Sequence, residues 1–185
     1  EAMPLASFSF EETDGWSVGD IGDDATAGIW ELAIPVATFF NGNQAQPGSD
    51  QSEEGEKCYL TGAATSPSSV GFDDVDNGKT TLLSPVFDLS GYNEVLVSYW
   101  RWYTNNVGDN PGTDYWQVDV TSDGGQHWFA LEYTNLSEDA WVQKNFLLSD
   151  SGIQLTEQVQ FRFVAEDITY SEDSGSGGSI IEAAI

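Results

Sequence analysis

Apolar and polar residues alternate with a period of two along most of the chain, and no stretch of ten or more residues carries apolar positions at helical spacing. The alternation predicts strands over residues 5–11, 28–33, 57–62, 80–84, 94–103, 115–122, 127–134, 141–148, 158–166 and 179–185. Each run is rich in β-branched or aromatic residues and is bounded by Gly, Asp, Asn, Ser or Pro. So many short strands exceed what one sheet with a dry face can use. They predict an all-β protein, a two-sheet antiparallel β-sandwich of jelly-roll type. Residues 1–185 read as one module, with a C-terminal strand that looks cut short. The stretches 41–55 and 105–113 are long polar connections of the kind that carry function, and 171–179, SEDSGSGGS, reads as flexible.

Within a strand the alternation also assigns faces. In Glu94-Val95-Leu96-Val97-Ser98-Tyr99-Trp100-Arg101-Trp102-Tyr103, an arginine is rarely buried unpaired, so the Trp100 and Trp102 face is expected inward and Tyr99, Arg101 and Tyr103 outward. By the same rule Trp116, Val118 and Val120 point inward and Tyr115, Gln117 and Asp119 outward, and Phe161 and Phe163 leave Arg162 outside. Tyr99, Arg101, Tyr103, Tyr115, Gln117, Asp119 and Arg162 would then share one outer surface. Flat tyrosines stack on sugar rings, and Arg, Gln and Asp supply directed hydrogen bonds, so the face suits an extracellular polysaccharide or peptide. The competing expectation is that the arginines merely pair with Asp119 or Glu132 on neighbouring strands, or lie under a loop.

Charge narrows the partners. The chain has 31 Asp and Glu against 5 Lys and Arg, a formal charge of −26, which excludes nucleic acid and anionic membrane surfaces as partners. The 39% hydrophobic content still permits a core, which at this length buries roughly 70% of the unfolded surface. No apolar run is long enough to span a bilayer, and the N-terminus lacks the pattern of a signal peptide. The acidity suits a salty or calcium-rich exterior, so a secreted or cell-surface location is expected. Two such surfaces repel, which favours a monomer. The one cysteine, Cys58, reads as a small buried hydrophobe.

Acidic residues gather in loops: Glu11 and Glu12, Asp20 with Asp23 and Asp24, Asp50, and the run Asp73-Asp74-Val75-Asp76-Asn77-Gly78. Clustered carboxylates repel unless a hard cation gathers them, so calcium is the expected cofactor, with Glu11, Asp50, Asp23, Asp24, Asp73, Asp74 and Asp76 as candidate ligands. In Thr121-Ser122-Asp123-Gly124-Gly125-Gln126-His127-Trp128, an Asp-box pattern, the aspartate would cap a turn and the tryptophan would pack over it, a supporting role. His127 is the only histidine, which leaves no partner for a triad or a histidine zinc site.

Several strings taken together resemble the MAM-like and cleaved-adhesin jelly-roll modules, including those C-terminal to secreted bacterial metallopeptidases. They are Phe10-Glu11-Glu12 with Gly15-Trp16, Gly28-Ile29-Trp30-Glu31, Gln46-Pro47-Gly48-Ser49-Asp50, the block from Thr80 through Leu83-Ser84-Pro85-Val86-Phe87-Asp88-Leu89-Ser90, and the ending Gly178 to Ile185. The resemblance implies a calcium-binding, non-catalytic β-sandwich of an exported multidomain protein, with room in the full length for a separate peptidase domain. It places calcium at Glu11 and Asp50, with a third acid falling just after Ile185. It also implies a module that binds extracellular glycan or peptide or packs on an adjacent domain. Two alternatives stand beside it: a jelly-roll glycoside hydrolase or lyase using a carboxylate pair, and a calcium-dependent cell-adhesion module.

Overall fold

The computed structural model describes residues 3–168 and 179–185, and the glycine-rich stretch expected to be flexible lies, apart from Ser179, outside the described residues. In chain order the strands are β1 (Ser17–Val18), β2 (Trp30–Ala33), β3 (Phe39–Phe40), β4 (Asn43–Gln44), β5 (Cys58–Thr61), β6 (Gly78–Leu83), β7 (Leu96–Gly108), β8 (Tyr115–Thr121), β9 (Phe129–Thr134), β10 (Glu138–Leu147), β11 (Gln160–Asp167) and β12 (Ser179–Ala184). Two five-stranded antiparallel sheets, ordered β1-β6-β11-β8-β9 and β10-β7-β12-β5-β2, face one another as a jelly-roll sandwich, and β3 and β4 form a separate hairpin. Every predicted strand except 5–11 is present. That segment stays out of both sheets and lays Phe8 and Phe10 against Trp16, with Phe10 also meeting the Tyr59 ring edge-on.

The inner faces interdigitate in one core. Leu82, Trp116, Val118, Val120, Phe161 and Phe163 come from the first sheet, and Tyr59, Tyr103, Ile181, Ala183 and Ile185 from the second. These positions alternate along their strands, and Trp116, Val118, Val120, Phe161 and Phe163 are the inward positions expected from the sequence.

Strand β7 reverses the expected assignment. Its Tyr99, Arg101 and Tyr103 point between the sheets, with Arg101 1% and Tyr103 0% exposed, while Trp100 and Trp102 lie on the outer face of the second sheet. Arg101 is buried because it is paired: its guanidinium contacts Glu138 and lies 3.4 Å from Glu132, with Tyr103 and Trp116 rings about it at 5.8 and 5.9 Å. Lys144 joins the group at 3.6 Å from Glu132 and 3.5 Å from Glu138. Glu132 also accepts hydrogen bonds from the Tyr99 hydroxyl (2.7 Å) and the Trp116 indole (2.8 Å). It reaches this interior position through a β-bulge opposite the Val118/Asp119 step, which changes the parity of β9.

Trp102, with Trp141 beside it, is roofed by the long 41–55 connection, while Trp100 stays exposed. Trp102 Nε1 and Thr104 Oγ1 both donate to the Ala45 carbonyl (2.7 and 2.8 Å), and Trp141 Nε1 donates to Ser49 O (2.9 Å). Beneath this roof Cys58, Leu60, Trp102 and Ala184 form a second, small core. Gln46, 1% exposed, fastens the roof by donating to Gly62 O (2.7 Å) and Glu182 Oε2 (2.9 Å) and accepting from Ala64 N (3.0 Å). Cys58 is the buried small residue its context implies.

Candidate binding face on the first sheet

The structure divides the seven proposed contact residues. Tyr99, Arg101 and Tyr103 belong to the interior and face no solvent-side ligand. Tyr115, Gln117, Asp119 and Arg162 do share an outer face, because the register sets Arg162 opposite Asp119, Val164 opposite Gln117 and Glu166 opposite Tyr115. The first sheet thus obeys simple alternation where β7 does not.

On this face the polar groups interlock. Arg162 donates from Nε to Asp119 Oδ2 (2.7 Å) and lies 3.2 Å from Asp20, and Gln117 Nε2 donates to both Asp119 oxygens (2.8 and 2.9 Å). Aromatic rings bracket the row. At one end the Arg162 guanidinium lies 4.4 Å from the Trp128 ring centroid. At the other, Tyr115 and Tyr133 stack at 4.5 Å with planes 8° apart, and Tyr133 is 59% exposed. From the Arg162 row to the Glu166 row is four residues, roughly 13 Å along the strands. Burial raises the Glu166 carboxyl above its ordinary range, with Lys79 opposing the shift and Asp24 and Asp114 adding to it.

Local sequence fixes both ends of the platform. Asp123 Oδ1 accepts from the Gln126 and His127 amides (2.9 Å each), Thr121 Oγ1 accepts from Gly125 N (3.0 Å), and Gly124 and Gly125 take φ of 70° and 89°. These bonds hold Asp123 below the usual carboxylate range, with the His127 amide and ring as the leading causes. The Asp-box turn therefore supports the fold as expected, and it also delivers Trp128 onto Arg162. Across the face, the β1–β2 connection forms a wall. Asp23 accepts from Thr81 N (2.9 Å) and Oγ1 (2.7 Å), Asp24 accepts from Lys79 N (3.0 Å), and Asp20 meets Arg162.

Sequence reasoning missed Trp128, Tyr133 and Asp20. The Asp-box offered a signal for Trp128. Tyr133 becomes readable once β9 is paired with β8, since it sits opposite Gln117. Asp20 arrives through a loop and left no trace in any periodicity.

The expected calcium ligands fall in three places. Among the described residues no three His, Cys, Asp or Glu side chains converge as a metal set. Glu11 and Asp50 come to one end of the sandwich, where burial, then the Asp50 and Glu11 charges, push the Cys58 thiol up to about 12. There Glu11 Oε1 accepts from Glu56 N and Lys57 N at 2.8 Å, and Asp50 contacts Ser52 Oγ. Asp23 and Asp24 are tied to β6 as described. In the turn before β6, the Asp73 carbonyl packs against Gly62, the buried Asp74 accepts from Ile181 N (3.2 Å), and the Asp76 carbonyl accepts from Thr26 N (2.8 Å). Burial, then the Asp76 charge, pushes Asp74 up to about 8. Burial and the Asp74 charge likewise hold Glu182 well above its ordinary value.

No family model matches the chain, and no curated protein does. Solved structures with a similar course of strands include TmCBM61 in complex with β-1,4-galactotriose, at 10% identity and a TM-score of 0.44, covering 96% of this chain and 94% of that one. A family 16 carbohydrate-binding module matches at 12% identity and a TM-score of 0.41, covering 93% and 86%. The xylan-binding domain from CBM 22 matches at 9% identity and a TM-score of 0.43, covering 98% and 92%.

Proposed function

We propose that the chain is a non-catalytic, glycan-binding accessory module of an exported protein, and that the outer face of its first sheet is the binding platform. The carrying observation is the pair of aromatic ends, Trp128 and the Tyr115–Tyr133 stack, about a row of hydrogen-bonded Gln117, Asp119 and Arg162. Pyranose rings stack on aromatic faces and take directed hydrogen bonds from planar amide and guanidinium groups. The interlocking fixes those groups before a ligand arrives, which lowers the entropy cost of binding. The strongly raised carboxyls, Asp74 and Glu182, are each 2% exposed and stand away from this face, which speaks against their acting on a bound sugar.

Affinity electrophoresis against a panel of soluble polysaccharides tests the reading. Retardation by at least one polymer, lost in Tyr133→Ala and Trp128→Ala with the fold intact, is expected. No retardation by any polymer would refute it. Product release abolished by Glu166→Gln would replace the module with a hydrolase.

Calcium belongs to the same proposal. Glu11 and Asp50 are the two candidates that the chain brings to one end, and with Ser52 and backbone carbonyls they offer the all-oxygen surroundings that calcium takes. Thermal unfolding of chelated protein should then show a calcium-specific rise over a magnesium control, reduced by Glu11→Gln or Asp50→Asn. An equal response to both ions would remove calcium from the reading.

A further inference from the structure

Two aspartates on the first sheet occupy the group that would otherwise recognise an acidic sugar. Of the five cations in the chain, Arg162 and Lys79 are the two on this outer face, since Arg101 and Lys144 gather about Glu132 and Lys57 lies on the Glu11 carbonyl. Lys79 stands opposite Glu166 in the β6–β11 register, with its ammonium beside Gly22.

A guanidinium grips a carboxylate or sulfate with two parallel N–H groups from one of its two edges, Nε with Nη2 or Nη1 with Nη2. In Arg162 each edge has already lost a donor. Asp119 Oδ2 takes Nε at 2.7 Å, Asp20 Oδ2 takes Nη1 at 3.2 Å, and the Trp128 ring lies over the group at 4.4 Å. One positive charge thus stands between two negative ones, so a carboxylate arriving at Nη2 meets repulsion from both sides. A hydroxyl or ring oxygen meets none, and it can accept from the N–H groups that the aspartates leave.

The two aspartates differ in kind. The Asp119 side chain is 2% exposed and also holds Gln117, so it belongs to the sheet. The Asp20 side chain is 25% exposed and comes from the β1–β2 wall. Its Oδ1 accepts from Ile21 N (2.7 Å), and its own amide donates to Asp23 Oδ2 (3.1 Å), which Thr81 anchors. A partly exposed ion pair adds little to stability. Fixed at the middle of the platform, it acts instead on what can approach Arg162.

We propose that the platform takes uncharged glycans and refuses those bearing carboxylate or sulfate groups, and that Asp20 enforces the refusal by occupying Arg162. The inference rests on the glycan-binding reading above and adds to it the class of polymer.

The test takes whichever neutral polysaccharide the protein binds, sparsely carboxymethylated, and compares it with the methyl ester of the same derivative, which differs in charge alone. Titration calorimetry in 0.5 M sodium chloride screens the long-range field of the −26 chain. The native chain should bind the acid form at least about tenfold more weakly than the ester. Asp20→Asn, with Asp20→Ala as a second variant, should recover most of that loss and leave binding of the ester within about threefold. Glu53→Gln, the same change of charge on the roof of the other sheet, should alter neither. Equal binding of acid and ester by the native chain, or no recovery in either folded Asp20 variant, overturns the proposal and leaves the glycan reading standing. Recovery matched by Glu53→Gln traces the preference to net charge and overturns it as well. Absence of binding to every neutral polysaccharide sinks both.

Discussion

Asp74 and Glu182 illustrate how much a single buried group can govern. A carboxyl whose folded value is raised, as Asp74's is to about 8, keeps its proton in the folded chain after the unfolded chain has lost it near pH 4. Stability is therefore expected to fall as pH rises from about 4 towards 8 and to level off above, at up to about 1.4 kcal/mol for each pH unit in that window. Thermal midpoints measured from pH 4 to 9 should show this slope. Asp74→Asn, which keeps an oxygen for the Ile181 amide, should flatten it and raise the midpoint at pH 8. Backbone contacts give a second residue-scale expectation. A β-carbon at Gly62 would stand 1.6 Å from the Asp73 carbonyl oxygen in a backbone with φ of 53°, whereas one at Gly42 would meet nothing within 4 Å. Gly62→Ala should cost several times the roughly 1 kcal/mol of strain expected at Gly42→Ala, measurable by denaturant unfolding.

Between strands, the joint made by Arg101, Glu132, Glu138 and Lys144 ties the β9 edge of one sheet to the β7–β10 edge of the other. Removing Glu132 strips partners from Tyr99, Trp116 and Arg101 together. Glu132→Ala is expected to destabilise by about 3–5 kcal/mol, in the range for breaking a buried ion pair, and denaturant titration checks it. This joint also explains the limit of reading the chain by eye. Alternation placed the faces of β8 and β11 correctly because their inward positions are uniformly apolar. On β7 the inner face lies under the opposite sheet and Trp102 and Thr104 of the outer face lie under the 41–55 roof, while Leu96 and Trp100 are exposed though apolar, so polarity gave no clear mark of the solvent side. The rule that arginine avoids the interior unpaired then chose the wrong face, because Arg101 is paired: the competing expectation, arginines pairing with Asp119 or Glu132, is what the structure has, with Glu138 the partner it did not name. Four of the seven proposed contact residues were legible for the same reason. Tyr115, Gln117, Asp119 and Arg162 follow from period two, while Trp128 and Asp20 depend on a turn and a loop.

At the scale of the whole molecule part of the excess of carboxylates is handled by backbone amides. Glu11, Asp23, Asp24 and Asp123 each accept one or more main-chain N–H groups, which neutralises part of their repulsion without a cation. The remaining field of −26 is long-ranged and screenable. The thermal midpoint should therefore rise between 0.01 and 0.5 M sodium chloride at pH 8, roughly as the Debye length shrinks from 30 Å to a few ångströms. An unchanged midpoint would mean that these local amide bonds leave little net repulsion to relieve.

The few cations have a practical corollary. Arg101, Lys79, Lys144 and Arg162 lie within paired strands, and Lys57 directly precedes β5 with its ammonium on the Glu11 carbonyl at 3.0 Å. These five are the only residues of the sequence after which trypsin could cut, and a protease nicks exposed, loosely held chain rather than paired strands. Tryptic cleavage of this protein would accordingly report strand separation rather than loop motion, whereas a glutamate-specific protease, offered Glu53 and Glu54 in an exposed connection, would cut the native molecule.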